Sequence, residues 1–229
     1  MINRPNIKKI SFLTLNHKNG VFFFTVALFI FVGTLFCIFS AKKQLILILA
    51  ANRTQLLNEI FLWITRLGEE HIFIAVILVM LIFSYKKAMA LILAGLSTIV
   101  FSFLTKLFFS QPRPLTFLKS IGEAEKLGYI DGYSFHDAFN SFPSGHTFSA
   151  FALFTTLALN TKPGIMQFIF AITAIAAGFS RIYLGQHFLC DVVFGAFLGL
   201  LTGLSANYVV HNIWFKNKNN HGLFNLFNH

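Results

Sequence analysis

Long uncharged, apolar runs broken by short polar stretches make up most of this chain. Read for runs able to cross about 30 Å of hydrocarbon, the pattern predicts six spans, at 21–41, 70–85, 88–109, 144–161, 163–181 and 188–211. The second and fourth are short as strict apolar runs. The second can borrow from an amphipathic stretch at 54–68, and the fourth can start at Ser144. Residues 44–52 are too short to span and are expected at the membrane interface. The first run, Val21 to Ala41, is longer than a secretory hydrophobic region and lacks a small-residue cleavage site, so it reads as a retained span. The fold class expected is all-α, a polytopic membrane bundle of six transmembrane helices. A basic N-terminus (1–20), a six-span body (21–211) and an Asn-rich tail (212–229) divide the chain.

Composition supports a lipid environment. Only 11% of the 229 residues are charged while 56% are hydrophobic, 31 of them Phe, and the mean hydropathy is +0.70. Soluble domains carry about 25% charged residues, so this chain is too poor in charge to cover a water-facing surface. The net charge of +10 would suggest nucleic acid in a soluble protein. Here the basic residues flank membrane runs, which points to anionic lipid headgroups and not to nucleic acid. Cys37 and Cys190 fall inside apolar segments and read as small packing residues.

With both termini inside, Arg4, Lys8, Lys9, Lys18, Lys86, Lys87, Lys162, Lys216 and Lys218 lie on the inner side without an acid. All the acids (Glu59, Glu69, Glu70, Glu123, Glu125, Asp131, Asp137 and Asp191) fall on the outer side with the remaining basic residues. The basic counts alone tie. It is the acids that give the orientation.

Three motifs carry polar groups at the edge of apolar runs, where such groups are costly and usually functional. They are Lys106-LFFSQP-Arg113-Pro114, Pro143-Ser144-Gly145-His146 and Ser180-Arg181-IYLGQ-His187-FLC-Asp191. On the six-span topology all three reach the outer face. Lys106, Arg113 and Arg181 are cations with no acid beside them in sequence, and unpaired they would be expensive. A phosphate satisfies them, since arginine forks bind its oxygens in pairs and lysine adds a point charge. Ser144 and Gly145 precede a predicted helix, and their backbone N–H groups would point at the same anion, with the helix dipole assisting. His187 and Asp191, at i and i+4, share one helix face. There a carboxylate can hold one imidazole nitrogen protonated and leave the other as a nucleophile. His146 supplies a second imidazole, able to protonate a leaving alkoxide.

These motifs resemble those of the type 2 phosphatidic acid phosphatase family, membrane lipid phosphate phosphatases with an active site related to that of the vanadium haloperoxidases. The resemblance covers about residues 55–211, with every motif position matched. It implies that Lys106, Arg113 and Arg181 bind phosphate, helped by Ser144 and Gly145. It further implies that His187 attacks phosphorus to form a phosphohistidine, that Asp191 orients it, and that His146 protonates the departing oxygen. No metal and no other cofactor is implied. The expected substrate is a phosphorylated membrane lipid: undecaprenyl diphosphate, phosphatidylglycerol phosphate, phosphatidic acid or lipid A 1-phosphate. The expected location is the bacterial inner (cytoplasmic) membrane, with the site at the outer membrane–water interface, facing the periplasm or exterior.

Taken singly, these residues have plainer readings. Lys106 alone could snorkel to the interface, Asp191 could be a packing partner and His187 a satisfied buried histidine. The joint pattern outweighs them. A lipid phosphotransferase would use the same motifs, and a non-catalytic phospholipid-binding or transport protein would use the cations alone. His17, His71, His211, His221 and His229 read as ordinary surface or interface residues, whereas His136 lies near enough to the motifs to touch a headgroup. The loop 115–142, with six aromatics, reads as a lid or an interfacial aromatic belt.

Overall fold

The computed structural model describes residues 19–215 and Gly222. The basic N-terminus and most of the tail, with Arg4, Lys8, Lys9, Lys18, Lys216, Lys218, His17, His221 and His229, lie outside the described residues. Within them the fold is helical, without strands and with one isolated bridge between Ile130 and Tyr133. Helix α1 (Gly20–Phe39) is followed by α2 (Gln44–Ala51), α3 (Gln55–Thr65), α4 (Glu70–Phe83) and α5 (Tyr85–Phe109). Then come α6 (Pro114–Ser120), α7 (Gly145–Leu159), α8 (Ile165–Tyr183) and α9 (Leu189–Tyr208), which runs into a π-helical turn, Val209–Trp214.

Capping sets several of these boundaries. Thr54 opens α3 by accepting the Leu57 N–H at 3.3 Å, and Ser84 opens α5 by accepting the Lys87 N–H at 3.3 Å. Pro114 starts α6, where its missing N–H costs nothing.

Helix α7 is the centre of the bundle. Phe148, Ala150, Phe151, Ala152 and Leu153 are all essentially buried, so it is covered on every side by protein. Its tightest neighbour is α9. A Cβ at Gly199 would sit 2.5 Å from the Phe151 Cβ and 2.6 Å from the Phe148 carbonyl oxygen, so only glycine permits this approach. Outward positions on α1 and α5 are instead large and apolar, with Phe24, Phe31, Phe39, Phe103 and Phe108 exposed. That surface suits lipid, not water.

Among the described residues four segments are long and apolar enough to cross a membrane by length and composition: Gly20–Phe39, Tyr85–Ser120, Ile165–Tyr183 and Leu189–Trp214. The predicted second and fourth spans are the shorter helices α4 and α7, of 14 and 15 residues. The stretch 54–68 does not lengthen α4. It forms α3, and a 3₁₀ turn at Arg66–Gly68 followed by extended Glu69 separates the two helices.

The segment 115–142 is a folded strap, not a structureless loop. After α6 it makes a 3₁₀ turn, Ala124–Leu127, and buries Leu118, Leu127 and Ile130. Ion pairs near the surface, the exposed Lys119 to Asp137 at 2.7 Å and the half-buried Lys43 to Glu123 at 2.6 Å, add little to stability by themselves. The stronger tie is Arg53, at the α2–α3 turn, whose guanidinium donates to the carbonyl of Leu127 and, at 2.7 Å, to that of Tyr183. It thereby joins the strap to the end of α8.

Candidate active site

The residues of the three motifs gather at one end of the bundle because five helix ends meet there. Lys106 lies in the last turn of α5, Arg113 is the N-cap of α6, Ser144 is the N-cap of α7, and Arg181 lies in the last turn of α8. Asp191 lies in the first turn of α9. The chain at 111–113 runs beside 138–141, with Arg113 N–H on the Ala138 carbonyl at 2.9 Å and Ser141 N–H on that of Gln111 at 3.0 Å.

His187 sits in the short connection between α8 and α9. That connection folds back on itself: the N–H groups of Gln186 and His187 both donate to the Arg181 carbonyl, at 2.9 and 3.2 Å. Gly185 makes the reversal at φ +64°, and a Cβ there would meet Leu127 at 3.0 Å and Phe135 at 3.1 Å. Strap and connection are therefore in close contact.

His187 and Asp191 are both buried. Their nearest approach, Nδ1 to Oδ2, is 3.6 Å, longer than a hydrogen bond. Ser141 fills the gap. Its hydroxyl donates to Asp191 Oδ2 at 2.6 Å and lies 3.4 Å from His187 Nδ1. The Phe188 N–H also donates to Asp191 Oδ2, at 2.9 Å, so the carboxylate is held by two donors besides the imidazole. Burial is the main influence on His187 and drives its pKa down to about 4. Asp191 pulls the other way, and Arg181 and Arg113 add repulsion. The ring is neutral at neutral pH, as a nucleophile requires.

The two arginines are held by neutral side chains. Arg113 donates through Nε to Asn140 Oδ1 at 2.6 Å and through Nη1 to Gln186 Oε1 at 2.7 Å. Its Nη1 also lies 3.1 Å from His136 Nδ1. Arg181 donates through Nη1 to Thr65 Oγ1 at 2.6 Å, while its buried Nε has no partner. Among the described residues none of Lys106, Arg113 and Arg181 forms an ion pair, so their charge is available to an anion.

Lys106, Gly145 and His146 line an open cleft of about 870 Å³. The segment from Gly68 to His71 and, on α5, Thr98, Ser102 and Phe103 also face it. The Lys106 Nζ is 3.5 Å from where a Gly145 Cβ would be. Arg113, Arg181, His187 and Asp191 are nearly inaccessible and do not line the cleft wall. An apolar groove between α4 and α5, walled by Phe73, Ile77, Ile92 and Leu96, shares Ile74, Thr98, Ile99 and Ser149 with the cleft.

Two expectations change. His187 does not share a helix face with Asp191, because α9 begins only at Leu189 and His187 lies in the connection before it. The Ser144 N–H, expected to face the anion, donates to the Asp191 carbonyl at 3.0 Å. The Ser144 Oγ accepts from the Thr147 hydroxyl at 2.8 Å and from its N–H at 3.4 Å, as an N-cap does. Ser144 thus ties α7 to α9. The following amides of α7, at Gly145 and His146, are the ones lacking an intrahelical partner.

Several polar residues at the site carry no motif signal. Asn140 and Ser141 directly precede the second motif and Gln186 adjoins His187, so their nearness was readable although their bonds were not. Thr65 has no such neighbour. His136, singled out in the sequence for a headgroup, instead contacts Arg113, and burial followed by the charges of Arg113 and Arg181 lowers its pKa. Cys37 and Cys190 are free thiols lining one small pocket. Among the described residues no three His, Cys, Asp or Glu side chains form a metal-binding group.

The chain is similar to known proteins. The family model described as the PAP2 superfamily matches residues 87–215. Over 152 residues the chain is 29% identical to an undecaprenyl-diphosphatase of Sulfolobus acidocaldarius, across 65% of this chain and 68% of that protein. Over 75 residues it is 36% identical to phosphatidylglycerophosphatase B of Bacillus subtilis, across 29% of this chain and 37% of that one. The fold matches the crystal structure of Aquifex aeolicus LpxE with a TM-score of 0.61 at 29% identity, covering 73% of this chain and 95% of that one. The matched family region encloses all three motifs, and four of the described segments are long and apolar enough to cross a membrane: the chain is an integral membrane protein that belongs to the PAP2 superfamily.

Proposed function

We propose that the protein is a lipid phosphate phosphatase that works through a phosphohistidine and without a metal. One observation carries this reading. Two arginines held by neutral side chains, with Lys106 on the cleft wall, lie around a buried neutral histidine that has its own carboxylate, beside a second histidine on that open cleft. The relatives named undecaprenyl-diphosphatase and phosphatidylglycerophosphatase B support the substrate class. The candidates are undecaprenyl diphosphate, phosphatidylglycerol phosphate, phosphatidic acid and lipid A 1-phosphate.

In this mechanism Lys106, Arg113 and Arg181 bind the phosphoryl oxygens, with the amides at Gly145 and His146 adding donors at the start of α7. His187 attacks phosphorus through Nε2. As the P–O bond to the lipid breaks, His146 gives its proton to the leaving oxygen. Asp191, with Ser141, keeps Nδ1 of His187 protonated and the ring aimed. Water, activated by His146 now acting as base, then cleaves the P–N bond, releasing phosphate and restoring His187. The lipid chain would occupy the groove between α4 and α5.

The same proposal has α4 and α7 complete a six-helix crossing with both termini inside, in a bacterial cytoplasmic membrane. The site then faces outward, where the loop acids lie.

The test is phosphate release by purified protein from the four lipid classes, with and without EDTA, together with trapping of an acid-labile phosphoenzyme. Activity insensitive to EDTA and a phosphoenzyme lost in His187→Ala are expected. Release from none of the lipids would overturn the proposal.

A further inference from the structure

The turn between α3 and α4 lies outside the region matched by the family model, which begins at residue 87, and outside all three motifs. Its polar contact is nevertheless with the centre of the site. Thr65, the last residue of α3, is 6% exposed, and its Oγ1 accepts the Arg181 Nη1–H at 2.6 Å. Three residues on, a Cβ at Gly68 would fall 2.6 Å from the His146 carbonyl oxygen and 3.1 Å from the His146 Cβ. One short turn therefore touches both a proposed phosphate ligand and the backbone of the proposed general acid.

The guanidinium geometry gives this contact a direction. Arginine binds two oxygens side-on through Nε and Nη2, the edge away from Nη1. Thr65 takes the Nη1 corner. The Nε is buried without a partner, in a side chain that is 4% exposed, and an unsatisfied buried donor is costly unless a ligand completes it. Tyr133 of the strap also hydrogen-bonds this guanidinium, and the carboxylate of Glu69, in the same turn as Thr65, lies near enough to act on its charge without forming an ion pair. A hydroxyl suits the Nη1 corner better than a carboxylate would, because it fixes the plane without neutralising the cation. As a β-branched residue at a helix end, threonine also holds its hydroxyl in few rotamers.

We infer that Thr65 is a positioning residue for phosphate binding, acting through Arg181: it holds the guanidinium at Nη1 so that the Nε–Nη2 edge faces the phosphoryl oxygens. This inference rests on the phosphatase reading for its catalytic consequence, but not for its prediction about anion affinity.

The experiment compares Thr65→Val, which keeps shape and removes the acceptor, with Thr65→Ser, which keeps the acceptor. Full-length protein in detergent is first checked for a monodisperse elution peak. Affinity for orthovanadate, a phosphate-shaped anion, is then measured by calorimetry, and KM and kcat are measured on the lipid panel. Thr65→Val should weaken vanadate binding and raise KM by about tenfold, the effect of one hydrogen bond to a charged group. Thr65→Ser should stay within about threefold of the parent. In Arg181→Lys, which lacks the fork, adding Thr65→Val should cost little more, since the two residues act as one unit. Parent-like vanadate affinity in Thr65→Val would overturn the inference, as would equal losses in the Val and Ser variants or fully additive losses with Arg181→Lys. Should the Val variant not fold, Thr65→Ala read against Thr65→Ser makes the same comparison. A protein that binds vanadate in this pattern yet releases no phosphate would sink the phosphatase reading and leave the Thr65 role standing.

Discussion

The Ser141 hydroxyl donates a 2.6 Å hydrogen bond to Asp191 Oδ2, shorter than the 3.6 Å that separates this carboxylate oxygen from His187. Orientation of the imidazole therefore depends on a serine as well as on the aspartate. Ser141→Ala should lower kcat by about 10- to 100-fold with KM little changed, because a hydrogen bond to a charged group is lost at the nucleophile and not at the phosphate. Steady-state kinetics on a lipid phosphate decides it. A change confined to KM would place Ser141 in binding instead.

The two histidines should separate by leaving group. His187→Ala is expected to lose activity on every substrate while keeping phosphate affinity, since the cations remain. His146→Ala should lose on the order of 10²–10⁴ on a lipid alkoxide, the usual worth of general acid catalysis. It should form the phosphoenzyme far better from p-nitrophenyl phosphate, whose leaving group needs no proton. Equal losses on both substrates would exclude His146 as the acid.

The folded pKa of His187, about 4, lies below the usual histidine value of about 6.5. Between these values the unfolded chain binds a proton that the folded chain does not. This contribution to stability is therefore intact above pH 6.5 and is lost as pH falls toward 4. Melting temperatures of the parent should drop across that window, and those of His187→Asn should drop less. In kcat/KM, with the ionisation of the substrate phosphate accounted for, the acid limb set by His187 should lie nearer pH 4 than 6.5. A limb at 6.5 would mean an accessible, unperturbed nucleophile.

Charge and hydropathy made part of this molecule readable in advance. Lys106, Arg113, Arg181, His187 and Asp191 stand out because ionisable groups are rare in apolar runs, and α1, α5, α8 and α9 because their apolar runs are long. The lengths of α4 and α7 were less readable. Glu69 with Ser84, and Ser144 with Asn160, end those helices through local backbone geometry that a hydropathy window averages away. Neutral partners such as Thr65, Asn140, Ser141 and Gln186 leave no trace in charge or hydropathy, since what distinguishes them is a bond to a residue far along the chain. The order in the strap was hidden for the same reason. It is set by Arg53, which binds carbonyls at Leu127 and Tyr183.

Gly199 offers a test of the bundle itself. A methyl group there would collide with Phe151 and with the α7 backbone at 2.5–2.6 Å, forcing α7 and α9 apart. Gly199→Ala should destabilise by about 1–3 kcal/mol, the usual range for overpacking. Because these helices carry His146 and Asp191, kcat should fall at temperatures where the protein is still folded. Thermal unfolding in detergent and kinetics on the same sample measure both effects.

A helix of 15 residues rises only about 22 Å, well short of the roughly 30 Å of a hydrocarbon core, and α7 is such a helix. Its N-terminus bears His146 and adjoins Asp191. Because Phe148, Ala150, Phe151, Ala152 and Leu153 are buried, protein and not lipid meets α7, and it is the longer α5, α8 and α9 that a bilayer must match. A short helix inside longer ones asks for no thinning of the membrane: its polar N-terminus can lie within the depth of the acyl chains and still be screened from them by protein.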